Sequence, residues 1–574
     1  MLFNIEINDQ EVSARRGETI LAVLNRHGIK VPTLCNMTGM TPTGSCRMCM
    51  VEVDGMQGLV PACSQPVEEW MKIKTHSARV IQARRTLLEL LLANHPDDCL
   101  YCAKNGNCEL QDLAEELNIS GRKYHQKRRP VQIDKMCPSI ERDPAKCILC
   151  GRCIRTCDTL IGVSAIDIIG RGGNSMIGTS YNKGLNYQGC VKCGQCIMVC
   201  PTGALSEHSS IEKVMEVLHN PDMMAVIQFS ATTPGSIAEE FGLKPGKDSL
   251  NLLRAALRMA GFKYILDTSF GADISIMESA AVIVDRLKKK ESLPVFTSSC
   301  PSWVHYIRES RPAYLKNLLP VRSPQQIMGT LIRDYIIPAH NRPPETIFSV
   351  AVMPCTAKKA EAEKEEMIHE KYRSVDAVLT FRELVRLIRM MGINLTDLEP
   401  DPTDTIHGIR SSAGQLIGVT GGELEGTLRT VYQMMTSQEL QPAKINDLRG
   451  LKETKEVRIK VGKEFINGIA VSGLARAIKL LDEMEAGKTP RYDIIEVMAC
   501  PFGCVNGGGQ KFYPDEKAMK ARVKAIYDVD EEEMIKVAHK NPNVGLVYEK
   551  LLGNPGSARA RELIHTSHVS DKAL

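Results

Sequence analysis

Two stretches constrain this chain more than any others: CILCGRCIRTC at 147–157 and GCVKCGQCIMVCP at 189–201. Each spaces its cysteines C-x2-C-x2-C-x3-C, and a proline closes the second. That spacing holds two [4Fe–4S] cubes, with the fourth cysteine of each run serving the other cube. Cys147, Cys150, Cys153 and Cys200 are therefore expected around one cube, and Cys190, Cys193, Cys196 and Cys157 around the other. The chain carries twenty cysteines in 574 residues, sixteen of them before residue 201. A secreted disulfide scaffold would be far shorter, so the cysteines read as metal ligands.

The segments ahead of these runs carry further ligand patterns. Residues 1–79 read as strand, turn, strand and a short helix, ETILAVLNRHG, then a loop with Cys35, Cys46 and Cys49, and Cys63 after a further strand. The pattern C-x10-C-x2-C-x13-C suits a [2Fe–2S] centre in a β-grasp, plant-ferredoxin-like unit. Zinc is the alternative, although zinc knuckles usually show two close pairs. Over 80–125, RVIQARRTLLELLLANH is apolar at helical spacing and runs into His95, Cys99, Cys102 and Cys108. One imidazole and three thiolates suit zinc or a cube, and the position between two iron–sulfur segments favours the cube. A ferredoxin-like unit with two cubes is expected over 137–209. Cys137, in KMCPS, fits no pattern and is read as a free thiol.

Composition excludes several roles. Net charge is +4 and 24% of residues are charged, with no basic block, so no nucleic-acid partner is expected. No apolar run reaches the eighteen residues of a membrane span, and the N-terminus lacks the features of a signal peptide. The expected location is the cytoplasm.

From residue 210 to 574 short apolar runs alternate with helical stretches. MAVIQFS, KYILDTSF, PVFTSSC, FSVAVMPC, AVLT, GIAVSG and DIIEVMAC read as strands, and Thr380 with Glu383 as a capping box. The alternation predicts an α/β domain of parallel sheets with helices on both faces, whose site lies beyond the carboxyl ends of the strands. Cys300, Cys355 and Cys500 each end a predicted strand, and Cys504 follows closely. One such cysteine would be an ordinary small core residue; three at equivalent positions suggest that the fold gathers them, with Cys504, around one more cube. Lys358 and Glu361 follow Cys355, and Gly507, Gly508 and Gly509 follow Cys504. Those glycines would let the backbone approach a bulky inorganic group.

TSSCPSW, MPCTAKKAE and MACPFGCVNGGGQ together resemble the three signatures of [FeFe]-hydrogenases. The order of the N-terminal segments resembles the long monomeric clostridial type, and LVYEKLLGNPGSARARELIHT resembles the small-subunit tail. The resemblance implies an H-cluster, a [4Fe–4S] cube joined to a two-iron subsite bearing CO, CN⁻ and a dithiolate amine. It also implies three accessory [4Fe–4S] cubes and one [2Fe–2S] centre. By position, Cys300, Cys355, Cys500 and Cys504 would bind the cube, and Cys504 would bridge to the two irons. Lys358 would donate to a cyanide, as a point charge suits a small anion, with Glu361 holding it. Met353, Ser323 and Gln325 would wall the pocket. The implied substrates are dihydrogen and protons, the implied partners a ferredoxin-like electron carrier and maturation proteins, and the implied state a monomer.

The chain departs from that family where protons move. Ser299 stands where the family has a cysteine that takes a proton from the bridging amine. A thiol ionises near neutrality; a serine hydroxyl passes protons only by hydrogen bonding. The family's relay also uses two glutamates, a serine and an arginine; Ser279 and Val282 stand at the place of a glutamate and its helical neighbour, Leu319 at that of the serine, and Arg286 alone remains. Glu278 is adjacent but points about 100° away around the helix. Thr232 and Phe502 are further changes near the site. These departures suggest altered proton transfer and a bias toward hydrogen uptake.

Overall fold

The computed structural model describes residues 2–124, 131–187, 189–243, 247–336, 343–369, 371–401, 410–513 and 515–568. The expected segment ends at residues 125 and 574 lie outside the described residues. β1 (Leu2–Ile7) and β2 (Gln10–Arg15) form an antiparallel hairpin. Asn8 and Asp9 close it with φ of 51° and 64°, the left-handed geometry that matches the strand twist. α1 (Ile20–Arg26), capped by the Thr19 side chain, covers a sheet completed by β3 (Met50–Val53), β4 (Val60–Pro61) and β5 (Lys72–Lys74), in the order β2-β1-β5-β3-β4. α2 (Ala78–Asn94), capped by Ser77, follows directly and ends at His95. Its Leu88 joins Leu34 and Met48 of the first segment to Leu110 and Leu113 of the second in one apolar cluster.

The two cysteine runs fold as near copies. Gly151 and Gly194 take φ of 70° and 73° before the short helices Arg152–Arg155 and Gln195–Met198. β6 (Ile140–Arg142) and β7 (Leu205–Glu207) pair antiparallel and close the unit.

The remainder carries two four-stranded sheets. In the first, β8 (Met224–Phe229), β9 (Tyr264–Asp267), β11 (Ile347–Met353) and β12 (Ala377–Thr380) run parallel in the order β9-β8-β11-β12. Alternate residues of β8 feed different cores: Val226 enters one, and Ala225, Ile227 and Phe229 the other. Both faces are covered, which is why these strands read as continuous apolar runs rather than alternations. In the second sheet β10 (Val295–Phe296), β15 (Ile494–Met498) and β14 (Glu464–Ser472) run parallel. One edge of this parallel sheet is antiparallel, where β13 (Thr454–Val461) pairs with β14. Its residues alternate exposed and buried along TKEVRIKV, as an edge strand with one wet face does.

α3 (Thr268–Lys289) packs against α5 (Pro324–Leu331) and α8 (Gly422–Thr436). α4 (Pro301–Ser310) follows β10, and α6 (Ala357–Ala362) follows β11. α7 (Phe381–Met390) starts on the expected capping box, with Thr380 and Glu383 bonded reciprocally. The C-terminal segment is tied to α3 by Glu278, which accepts from the Tyr548 hydroxyl at 2.7 Å, Gly556 N at 3.1 Å and His565 Nε2 at 2.7 Å.

The cluster unit docks on the segments that follow β11, β12 and β15. Gln195 Nε2 donates to Asn506 O at 2.7 Å, Thr356 Oγ1 to Lys192 O at 2.7 Å, and Arg382 bridges Glu207 at 2.9 Å and Gly508 O at 2.8 Å. The glycine triplet takes part in this docking. A Cβ on Gly508 would lie 2.1 Å from Cys193 O, and one on Gly507 2.1 Å from Pro354 O. The glycines let three backbones approach one another. Gly508→Ala is expected to cost about 1–3 kcal/mol, the range for overpacking a close-packed site. A calorimetric midpoint equal to that of the native protein would contradict this docking role.

Candidate active site

The carboxyl ends of β8, β9, β10, β11 and β15 deliver residues to one cavity of about 870 Å³. Thr232 follows β8, Thr268 β9, Cys300 β10, Cys355 β11 and Cys500 β15; Cys504 completes the ring of thiols. The four cysteines, separated by up to 204 positions in sequence (300 to 504), therefore line one space. Local anchors fix them. Trp303, fully buried on α4, meets the Phe296 ring edge-on at 5.5 Å. Ala499 N donates to Cys300 Sγ at 3.4 Å. The two serines before Cys300 divide their work: Ser298 Oγ donates to Val321 O at 2.8 Å and ties the loop down, whereas Ser299 faces the cavity.

The expected pocket residues fall in two layers. Ser299, Met353, Lys358, Gln325 and Thr232 line the cavity. Ser323 and Glu361 stand behind them, with Ser323 Oγ donating to Glu361 Oε2 at 2.8 Å. Lys358 Nζ donates to that same oxygen at 2.9 Å and to Ser299 O at 3.0 Å. An ammonium has three donors, so one is left for an acceptor in the cavity. Phe502 does not line the cavity; it takes φ of 62° between Cys500 and Gly503. Of the expected relay positions, Leu319 and Val282 pack in an apolar cluster and Ser279 is buried. Arg286 donates to the carbonyls of Asn317 and Leu318, both at 3.0 Å.

The accessory sets are equally legible. Cys147, Cys150, Cys153 and Cys200 line a cavity of about 440 Å³. Cys196 lies within electrostatic reach of Cys193, Cys190 and Cys157. The Cys35 and Cys46 thiols share a hydrogen bond, and Cys49 sits beside Cys63 and Cys35. Cys108 neighbours Cys102, and His95, buried at the end of α2, precedes the Cys99 turn. Cys137 is fully buried beside Cys190.

The donor chemistry fits iron–sulfur groups. Burial pushes the Cys355 thiol up to about 12, and the neighbouring Cys300 adds to it. Burial and the adjacent cysteines likewise raise Cys500 and Cys504. Thiolates crowded out of water need cations, and soft thiolates select iron–sulfur centres. Among the described residues no group of three or more His, Cys, Asp or Glu side chains is drawn together as a single metal ion requires.

One residue escaped the sequence reading. Glu423, in the first turn of α8, is buried and accepts a hydrogen bond from Ser299 Oγ. An acid at a helix start ordinarily answers the helix dipole, so nothing in GGELEG distinguished it. Burial lifts it from 4.5 to about 7, against the opposing effects of Ser299, Lys358 and Thr297.

Residues 223–508 match the family of the iron-only hydrogenase large subunit, C-terminal domain, and 516–571 the iron hydrogenase small subunit. Upstream, 2–78 match a 2Fe-2S cluster binding domain, 84–123 the iron–sulfur binding region of NADH-ubiquinone oxidoreductase G, and 137–206 the ferredoxin-like domain of NADH-quinone oxidoreductase subunit 3. The chain is 38% identical to the NADP-reducing hydrogenase subunit HndD of Solidesulfovibrio fructosivorans, with 100% of both chains covered. The chain belongs to the iron-only, or [FeFe], hydrogenase family. Iron hydrogenase 1 of Clostridium pasteurianum is 34% identical over 98% of this chain and 99% of its own. The apo [FeFe]-hydrogenase HydA1 of Chlamydomonas reinhardtii, in a cysteine-to-histidine variant, superposes with a TM-score of 0.57 at 31% identity, covering 63% of this chain and 99% of that one. No helix of this hydrogenase among the described residues is long and apolar enough to cross a membrane.

The raised Glu423 makes the stability of the apo hydrogenase pH-dependent. An acid whose folded value lies above its unfolded one holds its proton more tightly when folded, so it withdraws stability as pH rises from about 4.5 to about 7. Glu423→Gln keeps an acceptor for Ser299 and has nothing to ionise. Its melting midpoint should gain on the native one across that window; a constant gap would show that Glu423 titrates normally.

Proposed function

We propose that the chain interconverts dihydrogen with two protons and two electrons in the cavity beyond β8, β10, β11 and β15. The observation that carries this reading is the shared lining of one cavity by Cys300, Cys355, Cys500, Cys504 and Lys358. The four cysteines would hold a cube, with Cys504 also reaching a two-iron unit. When bound, that unit supplies an open iron and a nearby amine that cleave dihydrogen heterolytically. Lys358, fixed by Glu361 and Ser323, offers its remaining N–H to a small anionic ligand. Met353 supplies a polarizable apolar wall, and Thr232 with Gln325 offers hydroxyl and amide on the other sides. Ser299 takes up or releases the proton at the cavity.

Electrons would leave through the cysteine sets, as one [2Fe–2S] centre and three accessory cubes. Cys193 is an electrostatic neighbour of Cys500, which supports contact between the inner accessory cube and the active-site cube. Cys153 is likewise a neighbour of Cys196. From the Cys147 set two exits open. Arg155 donates to Cys35 O, toward the [2Fe–2S] segment. A Cβ on Gly203 would lie 2.5 Å from Cys102 Sγ, toward the His95 segment. A ferredoxin-like carrier in the cytoplasm is the proposed partner. The full-length similarity to a protein named as a subunit of an NADP-reducing hydrogenase favours a second reading, in which partner subunits take the electrons. Ferredoxin reduction by the isolated chain under hydrogen separates the two.

The proton side is where this chain differs. Val282 and Leu319 lie in apolar packing and Ser279 is buried, so the expected relay positions around Ser299 carry no acid. An uptake bias with slow proton reduction follows. Infrared spectra of the matured protein should contain CO and CN⁻ stretching bands, and Cys504→Ala should remove them. Ser299→Cys should raise proton reduction by up to ~10²-fold, the scale of one positioned proton-transfer group. Native hydrogen evolution that gains nothing from the thiol would discard the altered-transfer reading.

A further inference from the structure

Of the buried acids on α3, Glu278 is occupied by Tyr548, Gly556 and His565, and Asp273 by Ser411 and Asn541. The opposite side of Ser299 is different. Its Oγ donates to Glu423 Oε2. Four groups face Glu423: Ser299 and Thr297 from the loop after β10, Lys358 from α6, and Glu496 from β15. Glu496 is fully buried, its two oxygens accepting from Gly421 N and Leu424 N, each at 2.7 Å. Lys455 of β13 comes next, within electrostatic reach of Glu496 and Glu425, and donates to Thr420 O. Glu425 binds Arg449 at 2.8 Å, and that arginine side chain is 26% exposed.

We propose that Ser299, Glu423, Glu496 and Lys455 form a proton file from the cavity to the buried side of β13, with Glu425 and the part-exposed Arg449 beyond it, in place of a route along α3. The proposal rests on the hydrogenase reading. In the oxidative direction Ser299 Oγ accepts one proton from the cavity side as it gives its own to Glu423 Oε2. The serine returns to a neutral hydroxyl, each proton then moves one carrier outward, and the electrons leave separately through the cysteine sets. Burial raises both acids and lowers Lys455. Neighbouring carriers of similar proton affinity are what stepwise transfer near neutral pH needs. A purely structural Glu423 would orient Ser299 and carry nothing.

The test uses the full matured chain. Glu423→Gln keeps the shape and an acceptor but cannot relay. With native CO and CN⁻ bands it should lose about 10²-fold or more in both hydrogen oxidation and proton reduction, the scale of one positioned proton-transfer group. Glu423→Asp should restore part of the rate. In protein bearing cubes but no two-iron unit, a protonated-carboxyl infrared band should disappear near pH 7 in the native chain and be missing from Glu423→Gln. If Glu423→Gln does not accumulate folded, Glu496→Gln carries the same expected loss. Native rates in either variant with intact bands overturn the file, as does a carboxyl band that fails to titrate near neutrality. Absence of CO and CN⁻ bands from the native protein overturns the hydrogenase reading instead.

Discussion

Buried thiols held close together are the constraint on which the rest depends. Sulfur atoms from β10, β11 and β15 meet in one cavity, and burial with mutual repulsion raises their proton affinity. Without bound cations such a ring would be neutral thiols around empty space. The same holds for the Cys147 set. Iron supplies the charge that lets the thiolates stay buried. The fold is therefore a set of frames, each holding its own sulfurs, and the frames must sit close enough for electrons to pass.

That second demand explains the backbone docking. Arg382, buried against Glu207 and the carbonyl of Gly508, joins the cluster unit to the loop after β15. Breaking a buried pair of this kind costs about 3–5 kcal/mol, so the two units are held as one body. The glycines after Cys504 make room for peptide groups, and Gly507 also lines the cavity. Side chains at 507 and 508 would separate Cys193 from Cys500, and the wire with them.

How much of this could be read from the sequence depended on range. Local ligand spacings were legible because each run of eleven residues places three close cysteines on one set and a fourth on its neighbour. The strand ends at Cys300, Cys355 and Cys500 were legible because parallel strands place their carboxyl ends together. β13 was overlooked, although TKEVRIKV alternates plainly, because its charged outer face broke up the apolar runs used to find strands. Glu423 was overlooked for a deeper reason. Its burial and its contact with Ser299 span 124 positions and belong to no local pattern.

Ser299 and Glu423 are best understood as one unit. A carboxylate taken out of water is unfavourable unless it is bonded or protonated, and the Ser299 hydroxyl is a donor that stabilises the buried Glu423. A thiol is a weaker donor, so a cysteine at 299 would leave the acid less well satisfied. Conversely, a serine at 299 beside an apolar residue would have a proton and no acceptor outside the cavity. Polarity has thus moved from the α3 side, where Leu319 and Val282 are packed as hydrocarbon, to the side of α8 and β15, where Glu423, Glu496 and Lys455 are buried together. Two acids and a lysine kept in a core at the expense of stability need a reason, and a path for protons is one that packing alone does not supply.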